Sequence, residues 1–145
     1  MKLTQFTQHA IQILLYLGVY QQDFKKIEDL ATHYNVSTNH LRKVMQYLSK
    51  LEYIETRRGP LGGIRLIRSV NQITIGQLVR ELEPLDLAGN FDTPLPSLFQ
   101  INREGETIFD QALDAFLYQL DQVTLEDLIR LDQKPIHFLI FPPDD

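Results

Sequence analysis

Apolar residues recur at helical spacing along most of this chain and change to alternation only between Tyr53 and Leu66. Over Lys2–Gln21, Phe6, Ala10, Ile13, Leu14 and Leu17 make one stripe, and Ile11, Leu15 and Val19 make a second on the opposite side. A helix that is apolar on two faces is buried on both, so one face is expected on its own domain and the other on a partner subunit. Two shorter helices follow, Lys25–Tyr34 and Ser37 to about Leu51, with Leu30 and Ala31 on the first and Val36 as an apolar anchor in the turn. Ser37 is a good N-cap, because its hydroxyl can accept a backbone N–H of the first turn. Leu41, Val44, Leu48 and Leu51 form a buried stripe on the second helix. Its other face carries Asn39, Arg42, Lys43, Gln46 and Lys50, with no carboxylate. Tyr53–Arg57 then alternates as a strand, Gly59, Pro60, Gly62 and Gly63 make a loop, and Ile64 and Leu66 return. Two helices across a tight turn, followed by a glycine-rich hairpin, predict a winged helix-turn-helix.

Beyond a connector at Val70–Ile73, Thr74-Ile75-Gly76-Gln77 has capping-box form and opens a short helix that Pro84 ends. Leu85–Gln100 is irregular, interrupted by Gly89, Pro94 and Pro96. From about Asn102 to Asp121 runs a long helix with Phe109, Ala112, Leu113, Phe116, Leu117 and Leu120 on one stripe. Leaving such a stripe in water costs roughly 1.5–3 kcal/mol per large side chain, so a helix-on-helix dimer contact is expected. The alternative is packing back on its own winged domain. Thr124-Leu125-Glu126-Asp127 starts a last short helix, and the apolar tail Pro135–Phe141 is expected to pack on the dimer. The fold class is therefore mainly α with a small β wing. Residues 1–84 form the DNA-binding domain, 85–101 a loop, and 102–145 the dimerisation helix and tail. The expected dimer contacts are Ile11, Leu15, Phe109, Leu113, Phe116, Leu117 and Leu120.

Charge sharpens this reading. The chain of 145 residues carries a net −5, which looks wrong for a polyanion binder until it is divided. Residues 1–68 hold ten Lys/Arg against five Asp/Glu, and residues 69–145 hold four against fourteen. Positive charge thus sits in the half that has the helix-turn-helix. Asn39 and Gln46 can pair with adenine, and Arg42 and Lys43 with guanine or phosphate. Ser37, Thr38 and His40 complete the start of that helix, while Arg57, Arg58, Gly59 and Arg65 are assigned to backbone or minor-groove contacts from the wing. No run reaches the roughly 18 apolar residues of a membrane span, and the first helix lacks the flanks of a signal peptide, so a cytoplasmic protein is expected. There is no cysteine, which removes disulfides and cysteine-ligated zinc or iron–sulfur sites. The four histidines, His9, His33, His40 and His137, form no HxH or HxxxH pair. His40 is read as a DNA contact or a packing residue, and His9 as a core histidine rather than a haem or metal ligand, so no metal is assigned. Asp86, Asp92, Glu104 and Glu106 read as solvated loop carboxylates, and Glu81 and Glu83 as decoration of a helix, which leaves no catalytic constellation.

Five segments together carry a resemblance: MKLTQFT, VSTNHLRKV, RGPLGGIRL, ITIGQLVRELEPL and QLDQVTLEDLI. Nearly the whole chain resembles the Rrf-two family of bacterial winged-helix regulators, of the NsrR and IscR type and most nearly NsrR. The resemblance implies a homodimeric transcription factor, of repressor type, on a palindromic operator of double-stranded DNA. It also implies crossed C-terminal helices and a first helix packed on the partner. Regulators of that type hold an iron–sulfur cluster with three cysteines in the loop ahead of the dimer helix. Here Asn90 stands about where the first cysteine would be and Arg103 close to the last, and the aspartate that the first helix can supply is replaced by Gln8. The cluster residues do not carry over, and the signal is left open. A second reading is a winged-helix module that has lost DNA binding and serves as a haem- or small-molecule-binding or protein-interaction module.

Overall fold

A computed structural model describes residues 2–85, 101 and 106–131. Helix α1 (Gln5–Val19) lies at the centre, and α3 (Thr38–Lys50), α4 (Ile75–Leu82), α6 (Leu125–Arg130) and the second strand all pack on it. It is shorter at both ends than its apolar pattern suggests: Thr4 caps the start by accepting the Thr7 N–H, and Tyr20 is the C-cap, its N–H donating to the Tyr16 carbonyl. Its inner residues Ala10, Ile13, Leu14 and Leu17 are almost completely buried, together with Leu30, Leu41, Val44, Leu48, Tyr53, Ile54, Ile64, Ile73, Leu78 and Leu125. One core therefore draws on every element from α1 to α4 and on α6.

Helix α2 (Ile27–Tyr34) ends on Asn35 at φ 50°, a left-handed cap that asparagine tolerates. The Val36 N–H then reaches back to the Ala31 carbonyl at 3.0 Å, and α3 starts two residues later. The wing is β1 (Ile54–Arg57) antiparallel to β2 (Gly63–Leu66), with Ile54 opposite Leu66 and Glu55 opposite Arg65. Lys25 extends this ribbon on the far side of β2, exchanging both backbone hydrogen bonds with Ile64 at 2.9 and 2.8 Å. Gly63 is required there: its φ is +145°, and an added Cβ would lie 2.3 Å from the Lys25 carbonyl oxygen.

The C-terminal half departs from the expected arm. Helix α5 (Ile108–Asp121) begins at Ile108 rather than near Asn102, because Thr107 and Asp110 form a reciprocal capping box there. It packs on α4 of its own chain, and α6 returns to α1. Backbone bonds fix this return: Ile75 N–H to Val123 carbonyl at 2.8 Å, and Leu125 N–H to Ile73 carbonyl at 2.9 Å. The second apolar side of α1 is covered from within the chain only in part, since Ile11 stays half-buried and Val19 is 45% exposed. A Cβ on Gly18 would sit 2.7 Å from Ile129 Cδ1, and Leu15 is 3% exposed. Thr74 caps α4 as expected, but Gln77 completes no box; its amide turns forward to Glu81. The loop at 86–100, with Asn90, the segment 102–105, with Arg103, and the tail after Leu131 lie outside the described residues.

Three carboxylates hold the C-terminal half, Asp121 and Asp127 at the α4–α5–α6 corner and Asp110 at the start of α5. The Arg80 guanidinium grips Asp121 through two 2.6 Å bonds and holds its carboxyl below the usual range, the Thr107 hydroxyl does the same to Asp110, and the Thr124 backbone N–H to Asp127. A lowered folded pKa stabilises above the unfolded value and loses that contribution as pH falls through the folded one. Below about pH 4 the urea midpoint should drop, and Asp121→Asn should flatten the drop. An unchanged acid profile in that variant would show that the pair contributes nothing.

Candidate nucleic-acid interface

On α3 the buried stripe is Leu41, Val44, Met45 and Leu48, since Leu51 has become the C-cap and Met45 takes the fourth place. The rotation this fixes leaves Asn39, Arg42, Lys43, Gln46 and Lys50 exposed together. Ser37 caps the helix by accepting the His40 N–H at 3.1 Å. With no acid on the face, the positive helix start and the cations act in the same sense toward an anion. One carboxylate approaches from the side. Glu28 of α2 lies 3.9 Å from Arg42, both well exposed, a distance and setting at which an ion pair holds its arginine weakly.

The wing stands beside this face, and Arg42, Met45, Gln46, Ser49 and Thr56 line the groove between them. Its tip is held by the Gly62 N–H donating to the Gly59 carbonyl at 2.9 Å, and Gly59 adopts φ +102° with open space around it. Arg57, Arg58 and Gly59 are exposed at the tip. Arg65 is placed differently from Arg58. Its guanidinium donates twice to Glu55 Oε1, at 2.9 and 2.7 Å, and lies 4.5 Å from the Phe24 ring centre. It braces the hairpin, and its charge is already paired.

Sequence reasoning missed the braces that set α3 and the wing in place. The Arg68 guanidinium donates to the Leu51 and Glu52 carbonyls at the end of α3 and lies 4.2 Å from the Tyr53 ring centre. Glu81 is no surface decoration: its carboxylate accepts the Tyr53 hydroxyl, and its carbonyl accepts the Tyr47 hydroxyl at 3.2 Å. Burial and the Glu81 carboxylate keep the Tyr53 phenol far above its ordinary pKa. Glu83 likewise accepts the Thr4 N–H at 2.7 Å. His40 is turned inward, its Nε2 2.9 Å from His9 Nδ1, a pairing hidden in the sequence because the two residues are 31 positions apart. The expected dimer residues divide as well. Leu117 is buried and Phe109, Leu113 and Leu120 are half-buried, whereas Phe116 is 41% exposed; Ile11 is half-buried and Leu15 lies in the core.

These elements match a known family. The Rrf2 model, described as an iron-dependent transcriptional regulator, matches residues 3–131. The chain belongs to the Rrf2 family. It is 40% identical over 139 residues to the HTH-type transcriptional regulator NsrR of Geobacillus kaustophilus, covering 89% of this chain and 90% of that protein. It is 39% identical over 133 residues to NsrR of Halalkalibacterium halodurans, with the same coverage of 89% and 90%. Among solved structures it is similar to CymR, the global cysteine regulator of B. subtilis, with a TM-score of 0.72 at 22% identity over 91% of this chain and 98% of that one. IscR of T. potens gives a TM-score of 0.67 at 19% identity over 90% and 87%.

As an Rrf2 protein the chain is a DNA-binding transcriptional regulator of the NsrR/IscR type and not an enzyme, and the reading as a module without DNA binding is not favoured. No helix among the described residues is long and apolar enough to cross a membrane. An iron–sulfur cluster does not fit the donors this Rrf2 chain offers. It has no thiolate, and the exposed Gln8 gives its amide to the Leu3 carbonyl at 2.7 Å. Among the described residues no three of His, Cys, Asp and Glu converge as a metal-holding group.

Proposed function

We propose that this protein is a cytoplasmic homodimeric repressor that binds a palindromic operator, each protomer laying α3 in a major groove with its wing over the adjacent minor groove. The observation that carries this is the exposed face of α3, cationic and amide without an acid of its own, set beside a glycine-tipped hairpin with two exposed arginines. Two such faces would enter successive grooves about 34 Å apart. Asn39 and Gln46 are the base readers, Arg42 and Lys43 read guanine or phosphate, and Arg57 and Arg58 approach the backbone or narrow groove. Arg65, braced by Glu55, acts by holding the wing. No cysteine-ligated cluster takes part, and the signal enters through the segment at 85–101 or the space between subunits.

Arg58→Ala tests the wing. Operator affinity should fall, and the log–log salt slope should flatten by about 0.9 for the lost phosphate contact. Unchanged affinity and slope on a palindromic site would remove Arg58 from the interface. Selection of genomic fragments by the purified protein would test DNA binding itself and give the operator, and recovery of fragments with no shared inverted repeat would count against the dimeric reading.

A further inference from the structure

The facing imidazoles of α1 and α3 form a site that the interface does not use. We propose that His9 and His40 bind a divalent transition-metal ion of the zinc or nickel class, which clasps α1 to the first turn of the recognition helix.

Geometry carries this. His9 Nδ1 and His40 Nε2 approach to 2.9 Å, with ring centres 4.9 Å apart and planes at 77°. Two imidazole nitrogens bound to one ion at about 2.0–2.1 Å stand roughly 3 Å apart or slightly more, so loading needs the rings to part by a few tenths of an ångström. Both side chains start from fixed backbone. His9 precedes the fully buried Ala10 on α1, and His40 follows the Ser37 cap and precedes the fully buried Leu41. Donors held on rigid elements lose little freedom on binding.

The surroundings select the ion. The pocket at the pair is bordered by Gln5, one turn before His9, and by Tyr34, Asn35 and Ser37, and no carboxylate lines it. Hard cations such as magnesium and calcium need carboxylate oxygen, whereas imidazole suits zinc, nickel and copper. Water would fill the remaining coordination positions, the Ser37 and Tyr34 hydroxyls being engaged with the His40 N–H and the Gln12 carbonyl. Burial, and then the neighbouring His40, push the His9 imidazole below its ordinary pKa, which keeps it in the neutral, ligating form at pH 7. The existing ring contact needs one shared proton, and the ion takes that place.

A loaded site would fix the start of α3 against α1. That consequence for operator binding rests on the function proposed above, whereas metal binding is measured without DNA, so the two can fail separately. The test titrates the untagged full chain with Co2+, followed by its visible absorption, and then with Zn2+ in competition. One ion per chain is expected, with a rise in thermal midpoint that grows with metal concentration. His9→Ala and His40→Ala should each weaken it by about tenfold or more, and His33→Ala should leave it unchanged. Because either variant could disturb packing, ring resonances of the wild-type protein are followed as well. The His9 and His40 signals should respond first to substoichiometric Co2+, ahead of His33 and His137. Absence of saturable binding, binding that survives loss of both imidazoles, or first response at another histidine would each overturn the proposal.

Discussion

Phe116→Glu is expected to turn the protein into a monomer and to lower operator affinity by about 10²–10⁴-fold, the loss that follows when two linked half-site contacts become independent. Light scattering and a binding titration on one palindromic fragment would measure both. The argument starts from how α5 meets α4. Leu117 is buried there and Leu113 half-buried, which turns one side of the helix inward. Ile108, Ala112 and Phe116 follow one another at i, i+4 and i+8 and all remain exposed, Ile108 at 55% and Phe116 at 41%. An apolar row on a helix that is otherwise folded onto its own domain is the surface on which the proposed dimer would close. A carboxylate at its C-terminal end would be desolvated without a partner in a two-fold interface, where it meets its own copy or a neighbouring apolar residue. Because Phe116 lies outside the core, the variant should stay folded, its thermal midpoint lowered only by the lost dimer contribution and no longer dependent on protein concentration. A dimer of undiminished operator affinity would show that α5 does not join the subunits.

The parts of the interface that rest on local spacing were legible. Ser37 as a cap and Leu41, Val44 and Leu48 as a stripe require only the 3.6-residue period, and that period alone turns Arg42, Lys43 and Gln46 outward. What depends on chain return was not. Whether Arg65 is a free cation or a brace is decided by the register that sets it opposite Glu55, and register depends on the turn closed between Gly59 and Gly62. Glu81 looks like helix decoration until Tyr47 and Tyr53 arrive from elements about thirty residues earlier. The stripe on α5 read as one face is divided between α4 and solvent, since a stripe gives a direction and not the identity of the neighbour. The same holds for α1, where Ile129 and Val70 close on Gly18 while Val19 of the second stripe stays exposed.

Leu125→Ala separates a detached arm from a C-terminal half that belongs to the core, and its effect on stability should be the largest of any substitution considered. Leu125 is fully buried and clusters with the residues of α1 and α4, not with those of α5. Its truncation should cost about 2–5 kcal/mol, a transfer loss plus the cavity left behind. The upper part of that range is expected, because the cavity cannot relax by sliding α6. The backbone on either side is sewn down through Thr74 pairing with Thr124, Ile75 with Val123, and Leu125 with Ile73. Against a total of about 5–15 kcal/mol for an ordinary domain, this is a large fraction. The denaturant midpoint should fall without a change in slope, since the same surface is exposed on unfolding. Operator affinity measured well below the thermal midpoint should be kept, because α3 and the wing touch the core at other residues. Were α5 and α6 a separate rod, the variant would instead weaken dimerisation and leave unfolding of the winged core unmoved. The two outcomes differ in which measurement responds, so one variant decides whether the C-terminal half can move without disturbing the DNA-binding core.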